Sequence, residues 1–269
     1  MIPLSDAEFD EISEYVRARF GVNLEKKRLL VEGRLGFYIM NLGFSSYRDY
    51  MDHVRQDSSN RALADLISRI TTNHTFFMRE QDHFDYFAQT VLPWVEKDLG
   101  TRDLRVWSAG CATGQEAYTL SMCTRESLGA RLAGWDATIL ASDISARALR
   151  VAKEGIYPAE DLEALPYEWV QRYFEKQADG KFKVTAALRR SVAFQTINLV
   201  DAFSFKKPLQ AIFCKNVMIY FDNETRTSLL AKFFDVLVPG GYLFVGHSES
   251  LSTLRHSFTY ISPSIYRRP

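Results

Sequence analysis

Cysteine is scarce in this chain, and the little there is makes no pattern. Cys111, Cys123 and Cys214 are odd in number and include no C-x-x-C pair. That argues against a cysteine zinc site or a disulfide framework and leads to the expectation of reduced thiols in a cytoplasmic protein. An excess of charge of either sign is also missing. With 33 basic and 33 acidic residues, nothing draws the whole chain to nucleic acid or to an anionic membrane. No apolar run approaches the roughly 20 residues that span a bilayer. The opening residues, MIPLSDAEFDEI, lack the basic and apolar regions of a secretory signal. The histidines (His53, His74, His83, His247, His256) show no metal-ligand spacing such as H-E-x-x-H, so no metal is expected. Gly246-His247-Ser248-Glu249-Ser250 lacks the final glycine of a nucleophile elbow. A hydrolase is set aside.

What is present is a chain of 269 residues, 46% hydrophobic and 13% aromatic, able to bury a core as one large domain or as one domain with a small companion. Residues 1–72 read as helical throughout. Ser5-Asp6-Ala7-Glu8 is a capping signal, Phe9, Ile12, Val16 and Phe20 recur at helical spacing, and Gly21 is a stop. Further helices are expected from about Lys26 to Met40, after Ser45-Ser46 with Tyr47, Tyr50, Met51 and Val54 on one face, and from about Asn60 to Ile70. Residues 73–80 form a linker. A helix from Gln81 to Asp98 then leads into alternation: strands near 104–109, 138–142, 192–197, 210–215 and 241–246, with helices near 114–128, 145–153 and 223–237. Residues 81–269 therefore read as an α/β unit with a parallel sheet. Two short segments around Ser262-Pro263 predict an antiparallel closing edge. Asp179-Gly180, between Tyr173–Lys176 and Lys181–Val184, predicts an inserted hairpin, either a partner-binding appendage or a surface excursion without function.

The most informative stretch is LRVWSAGCATGQEAYTL, residues 104–120. An apolar run meets a turn bounded by Gly110 and Gly114, a helix follows, and a second apolar run ends in Asp143. Glycines let backbone approach a ligand, and an acid at the end of the next strand can hold ribose hydroxyls. The turn is neither G-x-G-x-x-G nor a P-loop, and no lysine follows Gly114 to reach a phosphate. A nucleoside without phosphates fits better, and S-adenosylmethionine is the common cofactor of that kind. The same features also fit an ordinary turn with an acidic helix cap.

Several residues carry two readings. Glu116 either closes a capping box with Thr113 or meets a cofactor. Asp143 either caps the helix near Ser145 or binds ribose. Arg79, in Thr72-Asn73-His74-Thr75-Phe76-Phe77-Met78-Arg79-Glu80, either clamps a carboxylate or sits exposed on a linker. Asn216 and Tyr220 are the polar members of Asn216–Asp222, which follows a central strand, where open α/β sheets place their ligands; Tyr220 equally fits a buried tyrosine whose hydroxyl is satisfied. Asp222 reads as a helix N-cap.

TNHTFFMRE, the Gly110–Gly114 turn with Glu116, ASDIS around Asp143, and CKNVMIYFD followed by GHSES occur in this order. Together they resemble the chemotaxis receptor methyltransferases of the CheR family over nearly the whole chain. The resemblance implies a Rossmann-like S-adenosylmethionine-dependent methyltransferase sheet, a small all-helical N-terminal domain and an inserted β-hairpin subdomain at about 173–190. It implies O-methylation of glutamate side chains in chemoreceptor cytoplasmic domains. A monomer is the default expectation, and the balanced charge leads to the expectation of no nucleic-acid partner. By motif position, Asn73, Thr75, Arg79, Glu116, Asp143, Asn198, Leu199, Lys215 and Asn216 would bind S-adenosylmethionine, and Arg79 and Tyr220 would form the catalytic pair. Many members carry arginine where Lys215 stands. The segment after Phe174 is short against members that dock a receptor tail, which implies a tether-independent enzyme. Asn216-Val-Met-Ile lacks the prolines of the Asn-Pro-Pro-aromatic segment of amino-group nucleic-acid methyltransferases.

Overall fold

The computed structural model describes residues 2–59, 61–71 and 73–269. Met1, Asn60 (the expected start of the fourth helix) and Thr72 (the end of the expected helical unit) lie outside the described residues.

The first layer is helical. Helix α1 (Asp6–Phe20) begins at Ser5, which accepts from Glu8 N while the Glu8 carboxylate takes Ser5 N, so the expected signal is a complete capping box. It ends at Gly21 in the left-handed region. Helices α2 (Arg28–Asn41), α3 (Tyr47–Gln56, capped by Ser46) and α4 (Arg61–Ile70) follow. Their apolar stripes close on one core that includes Phe9, Ile12, Val16, Phe20, Tyr47, Tyr50, Met51 and Val54. Arg34 donates to the carbonyls of Arg69, Ile70 and Thr71 and so satisfies the end of α4.

The second layer begins with α5 (Gln81–Tyr86) and α6 (Leu92–Lys97), joined by a π-helical turn at Phe87–Val91. Pro93 follows that turn. Its missing N–H removes one regular helical bond, which accounts for the local shift of register. The remaining elements are β1 (Val106–Ala109), α7 (Gln115–Leu128), β2 (Ile139–Asp143), α8 (Ala146–Glu154), β3 (Ile156–Tyr157), α9 (Tyr167–Tyr173), β4 (Phe174–Lys176), β5 (Phe182–Val184), α10 (Ala186–Arg189), β6 (Val192–Thr196), β7 (Leu209–Cys214), α11 (Asn223–Val236), β8 (Leu237–Val245), β9 (Thr259–Ser262) and β10 (Ile265–Arg267). The main sheet has seven strands in the order β6-β2-β1-β7-β8-β10-β9. The first five are parallel, and the last two turn antiparallel, as the Ser262-Pro263 pattern predicts. Every residue of β1 and β7 is buried, as expected of central parallel strands covered on both faces.

The Asp179-Gly180 hairpin is present as β4 and β5, with Gly180 at positive φ. Its sheet has a third strand, β3, which pairs with β5. Two residues are too few for a period-2 signal, so the sequence gives no sign of β3.

The two layers meet at several points. Val22 bridges Phe221, Asn23 N donates to Tyr220 O (2.8 Å), Ser145 Oγ donates to Ser68 Oγ (3.0 Å), and Arg17 pairs with Asp222 (3.6 Å). Gly21 sits in this seam at φ +68. A methyl group there would stand 2.7 Å from Thr225 Cγ2 and 2.9 Å from Val200 Cγ2. Gly21→Ala should therefore destabilise the protein by about 2–4 kcal/mol, through left-handed backbone strain plus overpacking. Urea denaturation checks this. A midpoint equal to that of the wild type would show that the seam yields freely.

Candidate active site

In the main sheet, chain order runs one way from β1 to β2 and the other way from β1 to β7. Beyond the carboxyl ends of such strands an open α/β sheet leaves a crevice. Here it is a cavity of about 290 Å³. All the site residues expected from sequence line it: Asn73, Thr75 and Arg79 from the linker, Glu116 from α7, Asp143 from β2, Asn198 and Leu199 after β6, and Lys215, Asn216 and Tyr220 after β7. Phe20, Val22, Ile67 and Thr71 bring the helical layer into the same wall, a contribution the motifs do not signal.

The glycine turn is built for close approach. Gly110 has φ +85, and a Cβ there would lie 2.3 Å from Val217 Cγ2. Ala112, also at positive φ, donates its N–H to Asp143 Oδ2 (2.9 Å), while Asp143 Oδ1 accepts from Ser145 N (2.8 Å). The cap of α8 is Ser145 itself, whose hydroxyl accepts from Ala148 N, so Asp143 is not that cap. Burial raises the Asp143 carboxyl above its ordinary range against the pull of these backbone donors.

The capping-box reading of Glu116 is also corrected. Helix α7 starts at Gly114 with no side-chain cap, because Thr113 Oγ1 turns instead to Gln115 Oε1 (2.7 Å). Glu116 Oε1 accepts from Ser108 Oγ (2.7 Å), and Oε2 lies 3.4 Å from Lys215 Nζ. The local spacing T-x-x-E is real, but the N-cap position falls on Gly114, so Thr113 stands one residue too early to cap α7.

Lys215 is the hub of the site. Its side chain is 3% exposed. The ammonium donates to Arg79 O (2.7 Å), faces Glu80 Oε2 (3.3 Å) and Glu116 Oε2 (3.4 Å), and lies over the Phe84 ring at 4.7 Å. The two carboxylates that share it move apart. Burial raises Glu116 despite Lys215. For Glu80, burial is outweighed by Lys215, the His247 N–H and the Asn216 amide, so its carboxyl sits below the usual range.

Arg79 donates to His74 O (3.0 Å) and lies 5.8 Å from the Phe76 ring. Its neighbours Met78 and Glu80 both have positive φ, a strained segment held by Lys215. Asn198 donates its side-chain amide to Arg19 O (3.0 Å), so that amide ties the cavity wall to α1. The Tyr220 ring packs under Lys27 Nζ at 4.4 Å, and burial pushes the Lys27 ammonium below its ordinary range.

Two acids that hold the site together carry no signal in the sequence reading. Glu80 is one. Glu249 is the other, in the segment read only as a failed nucleophile elbow. Glu249 is 2% exposed. Its Oε2 accepts from Gly246 N (2.7 Å) and Asn216 N (2.7 Å), and its Oε1 from Ile219 N (3.1 Å). It fixes the loop that carries Asn216, itself at positive φ, and Tyr220.

The chain is similar along nearly its whole length to known proteins. Residues 73–266 match the family model described as the CheR methyltransferase SAM binding domain, and residues 7–71 match the CheR methyltransferase all-alpha domain. A chemotaxis protein methyltransferase of Borreliella burgdorferi is 39% identical over 272 aligned positions, covering 99% of this chain and 96% of the relative. A chemotaxis protein methyltransferase of Escherichia coli is 35% identical, covering 98% and 92%. The fold is that of an S-adenosylmethionine-dependent methyltransferase. The chain belongs to the CheR methyltransferase family.

Lys215→Met would leave Glu80 and Glu116 buried without their cation. It should cost about 3–5 kcal/mol near neutral pH, measured by chemical denaturation. Glu80, held low by Lys215, contributes stability above the ordinary glutamate range that is lost as pH falls through its lowered value. The gap between variant and wild type should therefore narrow towards acid pH; a gap that widens would contradict the assignment.

Proposed function

We propose that this protein methylates glutamate side chains in the cytoplasmic domains of chemoreceptors, acting as a cytoplasmic monomer without nucleic-acid partners. The membership of the family and the names of its relatives support that substrate. Among the described residues no helix is long and apolar enough to cross a membrane, which accords with a reaction on receptor segments outside the bilayer. The observation that carries the reading is the convergence of Arg79, Glu116, Asp143, Lys215 and Tyr220 on one cavity.

The donor set suits the cofactor. S-adenosylmethionine offers hydroxyls, an ammonium and a sulfonium, and the cavity opposes them with the acceptors Asp143 and Glu116. Asp143 would take ribose hydroxyls, with the Gly110 turn letting backbone come close. Asn73, Thr75, Asn198, Leu199 and Asn216 would complete the wall. The cofactor supplies an activated methyl group. Lys215 has its ammonium engaged by Arg79 O, Glu80 and Glu116, so its part would be to position Glu116 and the Arg79 segment. A lysine does this with one compact charge where an arginine would use a planar fork.

The acceptor glutamate, with an ordinary pKa near 4.3, is already ionised at neutral pH. No general base is needed. The chain's task is to strip water from the carboxylate and align it for in-line displacement, in which one carboxylate oxygen bonds to the methyl carbon as the carbon–sulfur bond breaks. Arg79 would orient the carboxylate, and Tyr220 would fix its other oxygen. Of the basic residues near α2, Arg28 pairs with Asp6 (2.7 Å), Lys27 lies on Tyr220 and Arg34 binds the end of α4. Lys26 and Arg19 are exposed and stand as the charges that would face acidic receptor helices.

Incubation with receptor cytoplasmic fragments and methyl-labelled cofactor should give base-labile ester on glutamate; base-stable label would sink the substrate assignment. Arg79→Ala should lower turnover at least about 100-fold while changing S-adenosylhomocysteine affinity by less than about tenfold, as expected for a group that acts mainly in alignment. Equal losses in both would make Arg79 a cofactor ligand. Asp143→Ala should weaken S-adenosylhomocysteine binding about tenfold or more, since it removes a charged hydrogen-bond acceptor. Calorimetry reads both.

A further inference from the structure

Beside the cofactor cavity, but not part of its lining, Asp82, His83 and His247 come together. Each offers one ligand atom, and the three atoms lie within 4.8 Å of one another. His247 Nε2 is 3.1 Å from Asp82 Oδ2. The His83 and His247 rings meet edge to face at 4.9 Å. Sequence spacing conceals this cluster, because His247 comes from the turn after β8 and the other two residues from the start of α5.

The feature that asks for a ligand is His83. Its side chain has no exposed surface, yet neither Nδ1 nor Nε2 has a hydrogen-bond partner. A neutral imidazole has one N–H and one lone pair, and leaving both unused in a buried ring is costly. Glu80 Oε2, itself without a hydrogen-bond partner, stands 3.7 Å from His83 Nδ1. An outer carboxylate next to a ring nitrogen is the usual companion of a metal-bound histidine. Glu80 Oε1 also accepts from His247 N (3.1 Å), so one acid braces both histidines.

We propose that Asp82, His83 and His247 bind a divalent ion of the zinc class. Two imidazoles and one carboxylate are the borderline donors such ions prefer, and the half-open face leaves room for water as a further ligand. Donors about 2.0–2.2 Å from zinc stand roughly 3.3–3.6 Å apart at tetrahedral angles, so the His247–Asp82 pair, at 3.1 Å, must open slightly while the cluster, spanning up to 4.8 Å, adjusts around it. His247 and Asp82, at 49% and 57% side-chain exposure, can rotate to do so against the fixed His83. The ion would strap the start of α5 to the turn after β8, next to Glu80, whose Oε2 also faces Lys215. This reverses the expectation of no metal drawn from spacing alone, and it does not depend on the receptor reading.

The test uses the full chain, stripped with chelator and titrated with Co2+. The expected result is one equivalent bound, with visible absorption bands of a low-coordinate ion that Zn2+ displaces. His247→Ala and Asp82→Asn alter half-exposed side chains outside the cofactor cavity. Each should weaken Zn2+ binding at least about tenfold while S-adenosylhomocysteine affinity stays within about twofold of wild type, a margin of roughly 0.4 kcal/mol. Absence of a cobalt spectrum would overturn the site. So would Zn2+ affinity unchanged in both variants, because that pattern belongs to scattered surface histidines.

Discussion

A buried ammonium organises this molecule. Lys215 ends the central strand β7 and meets Glu116 from α7, Glu80 from the head of α5 and the backbone of Arg79. Two segments distant from β7 in sequence converge on one nearly buried charge. Such an arrangement gains little net stability over a well-packed apolar one, but it is costly to break and therefore specific. It also leaves an electrostatic imprint. Beside the same ammonium the Glu80 carboxyl is held below its ordinary range while burial raises that of Glu116.

The backbone around the crevice is strained in a consistent way. Met78, Glu80, Ala112 and Asn216 are non-glycine residues with positive φ. Each lies in a segment that reaches the cavity or braces its rim. Strain of this kind persists only where surrounding contacts impose it, and here the contacts can be named. Lys215 holds the Arg79 carbonyl, Asp143 holds the Ala112 N–H, and Glu249 holds the Asn216 N–H. Buried carboxylates that accept backbone donors are thus the recurring device by which this chain shapes its site.

Much of this was legible in the residues. The capping box at Ser5, the stop at Gly21, the central strands and the Asp179-Gly180 hairpin follow from local chemistry and hydrophobic period. The cavity-lining residues were reachable through the glycine turn, Asp143 and the ordered motifs. What stayed hidden depends on distance in the chain. Strand β3 exists only because β5 lies beside it. Glu249 looks like a surface acid until the fold carries it under the Asn216 loop. The Thr113–Glu116 spacing obeys a local rule that the tertiary structure overrides, since Ser108 and Lys215 compete for the same carboxylate. Local rules report local partners, and a buried charge chooses among partners from the whole chain.

The crevice is a composite. Phe20, Val22, Ile67 and Thr71 of the helical layer stand opposite Gly110, Glu116 and Lys215 of the sheet layer, and Val22 forms a ladder rung with Phe221 next to Tyr220. Whatever occupies the crevice is gripped from both sides, like a key between plate and bolt. Exchanging the helical layer for that of a relative would therefore recut the pocket along with the outer face. In this architecture the outer face of the helical layer and one wall of the crevice would change together.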